Sequence, residues 1–462
     1  MKNIENYREI IDTFGFKLLI IFILGFLLLI PVNFIRSVIL DRISYQKEAI
    51  SSIIEPIGGN CNIQGIVVAI PYMKRHINSE TKEIFYKKEY IFYMPDEYSI
   101  ICNIEVKPLK RGIFKAPIFN STLNLKGSFN KYNSEMYDID KNDNILFDEA
   151  ILIFGIDNKK NLIKLPDITV KYNDSNEKLN YYEKNIYADL KLFNNNFIFE
   201  ISRDKLFNGF DFDITLNIQG GNFLAFTPMA SENTFEISSL WKDPSFSGSF
   251  LPTSREVNNN GFNAIYNIAS FNTPFNKYWK SEDDIINNTY YSSGKYHNST
   301  KISSEESDIY INFLLLNDNY NKTLRSVKYS IIFIFIPFFV LLLCEILSKN
   351  KIHPIQYILI GITNVIFYLL LLSISEHINF NLSYFISAIM VTVLSSTYIK
   401  YIIKSIKYAL IMSLVQTLIY VFLFGILQLT DYALLIGSLG LFIVIAMAMY
   451  FTRNINWYAK NT

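Results

Sequence analysis

The chain has 462 residues, of which 50% are apolar and 18% are charged, and its formal net charge is +1. In soluble domains about a quarter of the residues are charged, so the lower fraction here argues against an ordinary soluble protein. The nearly neutral balance argues against a nucleic-acid partner, because no basic tract occurs outside the short loops of the last third. The three cysteines, Cys61, Cys102 and Cys344, show no metal-ligand spacing, so no metal or cofactor is predicted. A disulfide between Cys61 and Cys102 is left open.

The first apolar run covers residues 14–35 and follows a short cytoplasmic segment of mixed charge, residues 1–13. A lysine before an apolar core also fits a cleaved signal peptide. No small-x-small cleavage site follows Pro31, which favours an uncleaved transmembrane anchor. Residues 42–54 are predicted to form a helix that leads out of the membrane.

Residues 36–328 are predicted to form one large domain rich in β-strands. In residues 210–218, apolar and polar side chains alternate, as in a strand with one buried face. Similar runs are separated by turn-forming clusters of Asn, Asp, Gly and Pro. These runs are 66–70, 84–94, 122–125, 196–201, 264–268 and 309–315. Because no helical pattern of ten residues separates them, the sequence predicts a mostly antiparallel sandwich.

Five further apolar runs fill the last third of the chain. They are residues 329–347, 355–373, 380–399, 408–427 and 432–451. Each is long enough to cross a bilayer, which takes roughly 20 mostly apolar residues. Because the breaks between them are short, the helices are predicted to form one antiparallel bundle. With the anchor, the sequence predicts a membrane protein with six transmembrane helices and a tail at residues 452–462.

The lysines of the short breaks indicate the orientation of this bundle. Lys349 and Lys351 follow its first helix, and Lys400, Lys404 and Lys407 follow its third, whereas the alternate breaks carry no Lys or Arg. Positively charged loops stay on the cytoplasmic side. Both termini are therefore predicted to be cytoplasmic, and residues 36–328 are predicted to be periplasmic.

Several motifs, in order along the chain, resemble those of one family. They are IQGIVVAIPY at 63–72, WKDPSFSG at 241–248, LPTSRE at 251–256, HPIQYILIG at 353–361 and DYALLIGSL at 431–439. Together they resemble the inner membrane protein CreD family, also called cell envelope integrity proteins. The resemblance covers the chain from the anchor almost to the C-terminus, and it is weakest over residues 132–208.

This resemblance implies an inner-membrane protein of Gram-negative bacteria that is induced under envelope stress. It also implies effects on bacteriocin tolerance, β-lactam susceptibility and envelope integrity. It implies no known reaction, and it supplies no catalytic residues.

The first candidate site consists of Glu376, His377 and Asp431. Ionisable residues within a bundle are costly and often mark an ion or proton path. The predicted topology places these three near the periplasmic mouth rather than at the bilayer midplane. One interpretation is a proton or ligand site at that mouth. The other is that the three residues hydrate, cap helices or pair with neighbours at the interface.

The second candidate site is an external recognition motif formed by Trp241, Pro244, Phe246 and Arg255. Two aromatic residues and a Pro-Ser turn can line a groove for an extended peptide or glycan. They can equally close one end of a sandwich. Both interpretations are kept.

Uncharged polar residues near the middle of the predicted helices are Thr363, Asn364, Ser395, Ser396, Gln416 and Thr417. At such depth these residue types usually form hydrogen bonds between helices. We therefore expect them to serve packing.

Three hypotheses for function remain. Because the sequence has no nucleotide-binding, hydrolase, zinc-protease or dithiol motif, the first is a non-enzymatic protein of the envelope stress response. Its partners would be the lipid bilayer and either an envelope component or another membrane protein, bound or sensed by the periplasmic domain. The second is a transporter or channel that uses the mouth site. The third is an envelope-modifying enzyme.

Overall fold

The computed structural model describes most of the chain in two compact units. The described residues are 14–77, 82–133, 143–172, 175–181, 190, 192–193, 195–281, 308–313, 319–348, 350–429 and 433–453. The helical unit comprises Met1–Lys47 and Asn317–Thr462, and the β unit comprises Glu48–Leu316.

The helical unit contains one long N-terminal helix and a group of C-terminal helices. In chain order the α-helices of the protein are α1 (Phe14–Ile54), α2 (Arg203–Asn208), α3 (Asn319–Val327), α4 (Ser330–Ser348), α5 (Pro354–Ser375), α6 (Phe380–Ile403), α7 (Ile406–Gln428) and α8 (Ala433–Thr452). Among the described residues, five helices are long and apolar enough to cross a membrane: α1, α4, α5, α6 and α7. The membrane class is thereby confirmed. The sequence predicted six crossings, and the sixth, in the region of α8, stays a prediction.

Helix α1 continues beyond residue 35, the predicted end of the membrane anchor, whose limits in the membrane stay a prediction. The helix continues without a break to Ile54, because no proline or glycine follows Pro31 until Pro56. A 3-10 turn, Glu55–Ile57, follows the helix and ends where Gly58 takes a positive φ of 100° and its N–H donates to the Glu55 carbonyl. Glycine adopts that conformation without steric cost. The anchor and the predicted helix at 42–54 are therefore one helix of 41 residues.

The β unit consists of seventeen strands in the described part of the chain. They are β1 (Cys61–Ile77), β2 (Ile84–Tyr93), β3 (Glu97–Arg111), β4 (Phe114–Phe129), β5 (Asn144–Ile145), β6 (Ile151–Ile156), β7 (Asp167–Tyr172), β8 (Ser175–Lys178), β9 (Asn195–Glu200), β10 (Phe210–Gly221), β11 (Phe223–Thr227), β12 (Glu232–Ser239), β13 (Pro244–Gly248), β14 (Ser254–Asn258), β15 (Gly261–Ala269), β16 (Tyr278–Lys280) and β17 (Ile309–Phe313).

The strands form two sheets. The nine-stranded sheet has the order β13-β17-β11-β1-β2-β16, with β5 and β6 also on β1, and β9 on β6. The eight-stranded sheet has the order β14-β15-β12-β3-β4-β10-β7-β8. Most pairs are antiparallel, as predicted, and the parallel pairs are β1 with β11 and β3 with β12.

Apolar side chains from both sheets form one core between them, which confirms the β-sandwich. In β10 the inward residues from Phe210 to Ile218 are buried, and the residues between them are more exposed. Across the sandwich, the Phe226 ring of β11 and the Phe235 ring of β12 have centroids 5.9 Å apart. The alternation in the sequence therefore has the expected cause, one face turned to the core.

The nine-stranded sheet is also apolar on its second face. Val67 and Ala69 of β1, together with Ile151 and Ile153 of β6, belong to a separate buried cluster that includes Trp279. Because both faces of the sheet are covered here, the residues of β6 are buried at every position. Apolar and polar residues therefore do not alternate along this strand.

Cys61 and Cys102 are free thiols, fully buried in the main core, so the structure does not form the disulfide that the sequence left open. The Cys102 sulfur lies 3.2 Å from the Ser121 hydroxyl oxygen. Burial raises the pKa of the Cys102 thiol to about 12, although that contact opposes the rise, and burial also raises the pKa of Cys61. Both thiols are neutral and shielded from water.

This pKa shift predicts a loss of stability in mild alkali. An unfolded thiol titrates near about 8.5, whereas the folded Cys102 thiol keeps its proton to about 12. As pH rises through this window, the unfolded state therefore loses its proton first and is favoured. We expect the free energy of unfolding to fall by about 1.4 kcal/mol per pH unit above pH 9 for this thiol.

Chemical unfolding of the whole protein at pH 8, 9 and 10 would measure this slope. Cys102→Ala should show a shallower slope, and Ser99→Ala, on the exposed face of the same strand, should not. Equal slopes in the natural protein and in Cys102→Ala would contradict the prediction.

Candidate functional site

The predicted mouth residue Glu376 lies at the end of α5. Its carboxylate accepts a hydrogen bond of 3.1 Å from the Tyr320 hydroxyl, and it lies 3.6 Å from Nε of Arg42. Tyr320 belongs to α3 and Arg42 to α1. Glu376 therefore links the end of α5 to the first turn of α3 and to the interior of α1, through one carboxylate oxygen that both partners share.

The electrostatics of this group favour a fixed hydrogen bond. Burial and the neighbouring Glu376 carboxylate raise the pKa of Tyr320, and Arg42 opposes the rise. The Tyr320 hydroxyl therefore keeps its proton and acts as the donor to the carboxylate.

Helix α3 makes further polar contacts with the ends of neighbouring helices. The Asn319 side-chain amide donates to the Ser375 carbonyl at 2.8 Å, and Nη2 of Arg325 donates to the Ile426 carbonyl at 3.5 Å. The last carbonyls of a helix have no partner within the helix. Side chains of α3 therefore donate hydrogen bonds to carbonyls at the carboxyl ends of both α5 and α7.

The other two residues of the predicted mouth site are not joined to Glu376 in the described part of the chain. The His377 side chain is exposed, and its backbone N–H donates to the Ile374 carbonyl at 3.1 Å. Asp431 lies outside the described residues. The described geometry thus groups Glu376 with Arg42 and Tyr320, two residues that the sequence interpretation did not connect with it.

A second carboxylate, Glu345 of α4, forms a buried polar group elsewhere in the helical unit. Nζ of Lys17 donates to one carboxylate oxygen at 2.6 Å, and the Tyr357 hydroxyl donates to the other at 2.9 Å. Glu345 is only 7% exposed. The sequence interpretation missed this group, although a signal existed, because Lys17 and Glu345 are the lone charges, of opposite sign, in their two apolar runs.

The two ion pairs lie far apart along α1. Lys17 and Arg42 are separated by about 37 Å of helix at about 1.5 Å per residue. That length slightly exceeds a hydrocarbon core of about 30 Å. Each ion pair is therefore placed near one membrane surface if α1 crosses the bilayer.

In the β unit, Trp241 and Pro244 lie where the chain enters β13, at one end of the nine-stranded sheet. The half-buried Trp241 ring packs against the main core, and its Nε1 donates to the Asp243 carbonyl at 3.1 Å. Pro244 is the first residue of β13. The indole therefore fixes the turn that starts the strand.

Phe246 and Arg255, the other two residues of the predicted recognition motif, are brought together. The Arg255 guanidinium carbon lies 5.9 Å from the centroid of the Phe246 ring. The same ring meets Phe262 edge-on, with centroids 5.5 Å apart, and packs against the main core. These contacts are those of a side chain that closes the edge of a sandwich.

A large concavity of the β unit lies elsewhere, on the outer face of the eight-stranded sheet. It is an open groove of about 1080 Å³. Strands β3, β4, β7, β8, β10 and β12 contribute to it. Its charged lining residues are Glu97, Lys126, Asp167, Lys171, Lys178, Asp211, Asp213 and Glu232. Serine and threonine hydroxyls lie between them, so the groove is mostly polar, although Tyr98 and Phe212 also line it.

Charges within this groove are partly paired. Lys126 lies 3.1 Å from the Asp213 carboxylate, and Lys178 pairs with Asp167 and lowers the pKa of that carboxyl. Glu97 and Glu232 stand directly opposite each other on β3 and β12. Like charges in this position repel each other. In the described part of the chain neither glutamate forms an ion pair, so this end of the groove favours a cationic group.

No group of three or more His, Cys, Asp or Glu residues that could hold a metal ion occurs among the described residues.

Helices able to cross a bilayer and a large β-sandwich together define a membrane protein with an extensive β-sheet domain. The family described as inner membrane protein CreD matches residues 13–458, and the chain belongs to that family. The inner membrane protein CreD of Escherichia coli (strain K12) is 26% identical over 439 residues, which cover 94% of this chain and 91% of that protein. The resemblance found in the motifs is confirmed.

Among solved structures, a crystal structure of a Legionella pneumophila protein is 10% identical to this chain. It covers 47% of this chain and 71% of its own, with a TM-score of 0.21. A TM-score this low supports no inference about this chain.

Proposed function

We propose that this protein is a non-enzymatic binding protein of the cell envelope, in which the β unit binds an extended envelope component and the helical unit holds it in the inner membrane. The observation that carries the proposal is the polar groove of about 1080 Å³ on the eight-stranded sheet. A groove of this size that crosses six strands suits a polymer better than a small molecule, since it is open along its length.

The lining indicates the chemistry of the ligand. Hydroxyls such as Ser99, Thr169 and Thr234 suit the hydroxyl groups of a glycan. The unpaired Glu97 and Glu232 suit an amine. A glycan that carries short peptides with free amines, such as peptidoglycan, has both kinds of group.

Under this proposal the β unit lies on the periplasmic side and both termini are cytoplasmic. The support is the distribution of positive charge, with Lys400, Lys404 and Lys407 in one break between apolar runs and no Lys or Arg in the next. An envelope polymer is present on the periplasmic side.

The test is cosedimentation of the detergent-solubilised whole protein with purified peptidoglycan sacculi. We expect the natural protein to pellet with the sacculi, and Glu97→Lys with Glu232→Lys to bind at least about tenfold more weakly, equivalent to about 1.4 kcal/mol. The reason is that two lysines would repel the amine that two glutamates attract.

Glu200→Lys is the matched control, because Glu200 is an exposed glutamate at the end of β9 in the other sheet. It should bind as the natural protein does. Binding that is absent from the natural protein, or that is unaffected in the double variant, would reject the groove as the site.

The alternative is a transporter or channel with its site at the mouth of the helix bundle. The described contacts give this alternative less support, because Glu376 is already engaged by Arg42 and Tyr320. Antibiotic uptake into proteoliposomes that Glu376→Ala abolishes would favour transport over binding.

A further inference from the structure

The interior of the helical unit contains an uncharged polar cluster between α5, α6 and α7. Asn364 lies near the middle of α5, and Gln416 lies near the middle of α7. Nε2 of Gln416 donates to Oδ1 of Asn364 at 3.0 Å, and each residue is 1% exposed. Among the described residues, this single bond leaves Nδ2 of Asn364 and Oε1 of Gln416 without a partner.

Two tyrosines extend the cluster by one helical turn. Tyr368 follows Asn364 by four residues and Tyr420 follows Gln416 by four, so each shares a helix face with its amide. Their side chains are 1% and 4% exposed, and neither hydroxyl has a hydrogen-bond partner in the part of the chain that the structure describes. Both rings lie beside Phe333, with centroid distances of 6.1 and 5.0 Å. Their hydroxyls are therefore held inside the unit.

Helix α6 adds two serines with the same property. Ser387 and Ser395 are buried, and neither hydroxyl forms a hydrogen bond with another described residue. By contrast, Ser383 on the same buried stripe donates to the Asn379 carbonyl at 2.9 Å. Ser387 and Ser395 are about 12 Å apart along the helix at about 1.5 Å per residue. The unpaired groups therefore extend along the helix axis rather than cluster at one point.

An unpaired polar group is costly inside a protein that is itself surrounded by hydrocarbon. Lipid chains supply no hydrogen bonds, so such a group keeps the full cost of its lost hydration. The Asn364–Gln416 pair was expected to serve packing, and its one hydrogen bond satisfies only half of the two amides.

The chemistry of these atoms identifies the ligand class. Asn364 offers a donor, Gln416 offers an acceptor, and the hydroxyls can act as either. None of the six residues is charged at neutral pH, so the site has no means to offset the desolvation of an ion. Buried water typically makes about three hydrogen bonds to such groups.

We propose that the interior of α5, α6 and α7 is a binding site for water, held as a short column by Asn364, Gln416, Tyr368, Tyr420, Ser387 and Ser395. The column runs through the middle depth of the predicted membrane spans. Toward the carboxyl end of α6 it stops at Ile399 and Ile403, which are buried and apolar. At that end the polar site is therefore bounded by apolar side chains.

The test is radiolytic hydroxyl-radical labelling of the whole protein in lipid nanodiscs, read out by mass spectrometry at single tyrosines. Bound water near a buried ring generates radicals beside that ring. We expect Tyr368 and Tyr420 to be oxidised several-fold faster than Tyr357. Tyr357 is the internal control, because it is similarly buried at 3% exposure but its hydroxyl is bonded to Glu345.

Ser387→Ala with Ser395→Ala removes two hydroxyls at little cost in packing and should slow the labelling of Tyr368 and Tyr420 while leaving Tyr357 unchanged. The comparison within the natural protein needs no variant, so poor folding of the variant does not affect it. Equal or slower oxidation of Tyr368 and Tyr420 relative to Tyr357 would overturn the proposal.

Discussion

Lys17→Met is expected to destabilise the helical unit by about 3 kcal/mol, the lower end of the range for breaking a buried ion pair. Lys17 lies 2.6 Å from Glu345, whose side chain is 8% exposed. Methionine preserves most of the apolar stem of lysine and removes the charge. Glu345 would then be a buried carboxylate supported by the Tyr357 hydroxyl without its cation, which is the costly state.

Reversible unfolding in mixed detergent micelles, followed by helical circular dichroism, would measure this loss. The matched control is Arg42→Met on the same helix. Its ion pair with Glu376 is longer, at 3.6 Å, and its side chain is 48% exposed, so its loss should cost less than about 1 kcal/mol. Adding Glu345→Gln to Lys17→Met should restore much of the stability. Equal effects of the two single variants would contradict this interpretation.

Phe235→Ala is expected to destabilise the β unit by about 3–5 kcal/mol, because truncating a buried phenylalanine leaves a cavity as well as losing apolar burial. Phe235 is fully buried. Its ring meets Tyr98 edge-on at 5.6 Å in its own sheet and Phe226 at 5.9 Å in the opposite sheet. The substitution therefore weakens the packing of the two sheets against each other.

Urea unfolding of the whole protein, followed by near-ultraviolet circular dichroism, would report this change. The matched control is Phe271→Ala, since Phe271 is 85% exposed and its loss should change stability by no more than about 0.5 kcal/mol. A Phe235→Ala protein with the natural midpoint would show that the core between the sheets tolerates the cavity.

The parts of the fold that the sequence predicted are those with a local signal. Strand β10 was found because its residues alternate, with one face against the core. Strand β6 gave no alternation, because both of its faces are covered. The sequence predicted residues 14–35 and 42–54 as two segments, because falling hydropathy marks the limit of a span but not the limit of a helix. The continuous helix to Ile54 follows instead from the absence of a breaking residue.

The candidate sites depended on contacts between residues far apart in the sequence. Glu376 was singled out correctly as an unusual carboxylate, but its partners Arg42 and Tyr320 come from segments hundreds of residues and tens of residues away. The groove was not predicted, because its charged residues occupy the exposed faces of strands that look ordinary one at a time. Only the order of the strands in the sheet brings Glu97 and Glu232 side by side.

The strands at the ends of the two sheet orders limit how the β units of neighbouring copies can associate. An uncovered strand edge is a template that another chain can extend, and proteins block it with proline, charge or short length. Here β13 begins with Pro244, β14 carries Arg255 and Glu256, β16 has three residues and β8 has four. Neighbouring copies concentrated in one membrane are thereby discouraged from fusing their sheets into aggregates. Recognition of another molecule by the β unit would therefore use the broad face of a sheet, where side chains make the contacts.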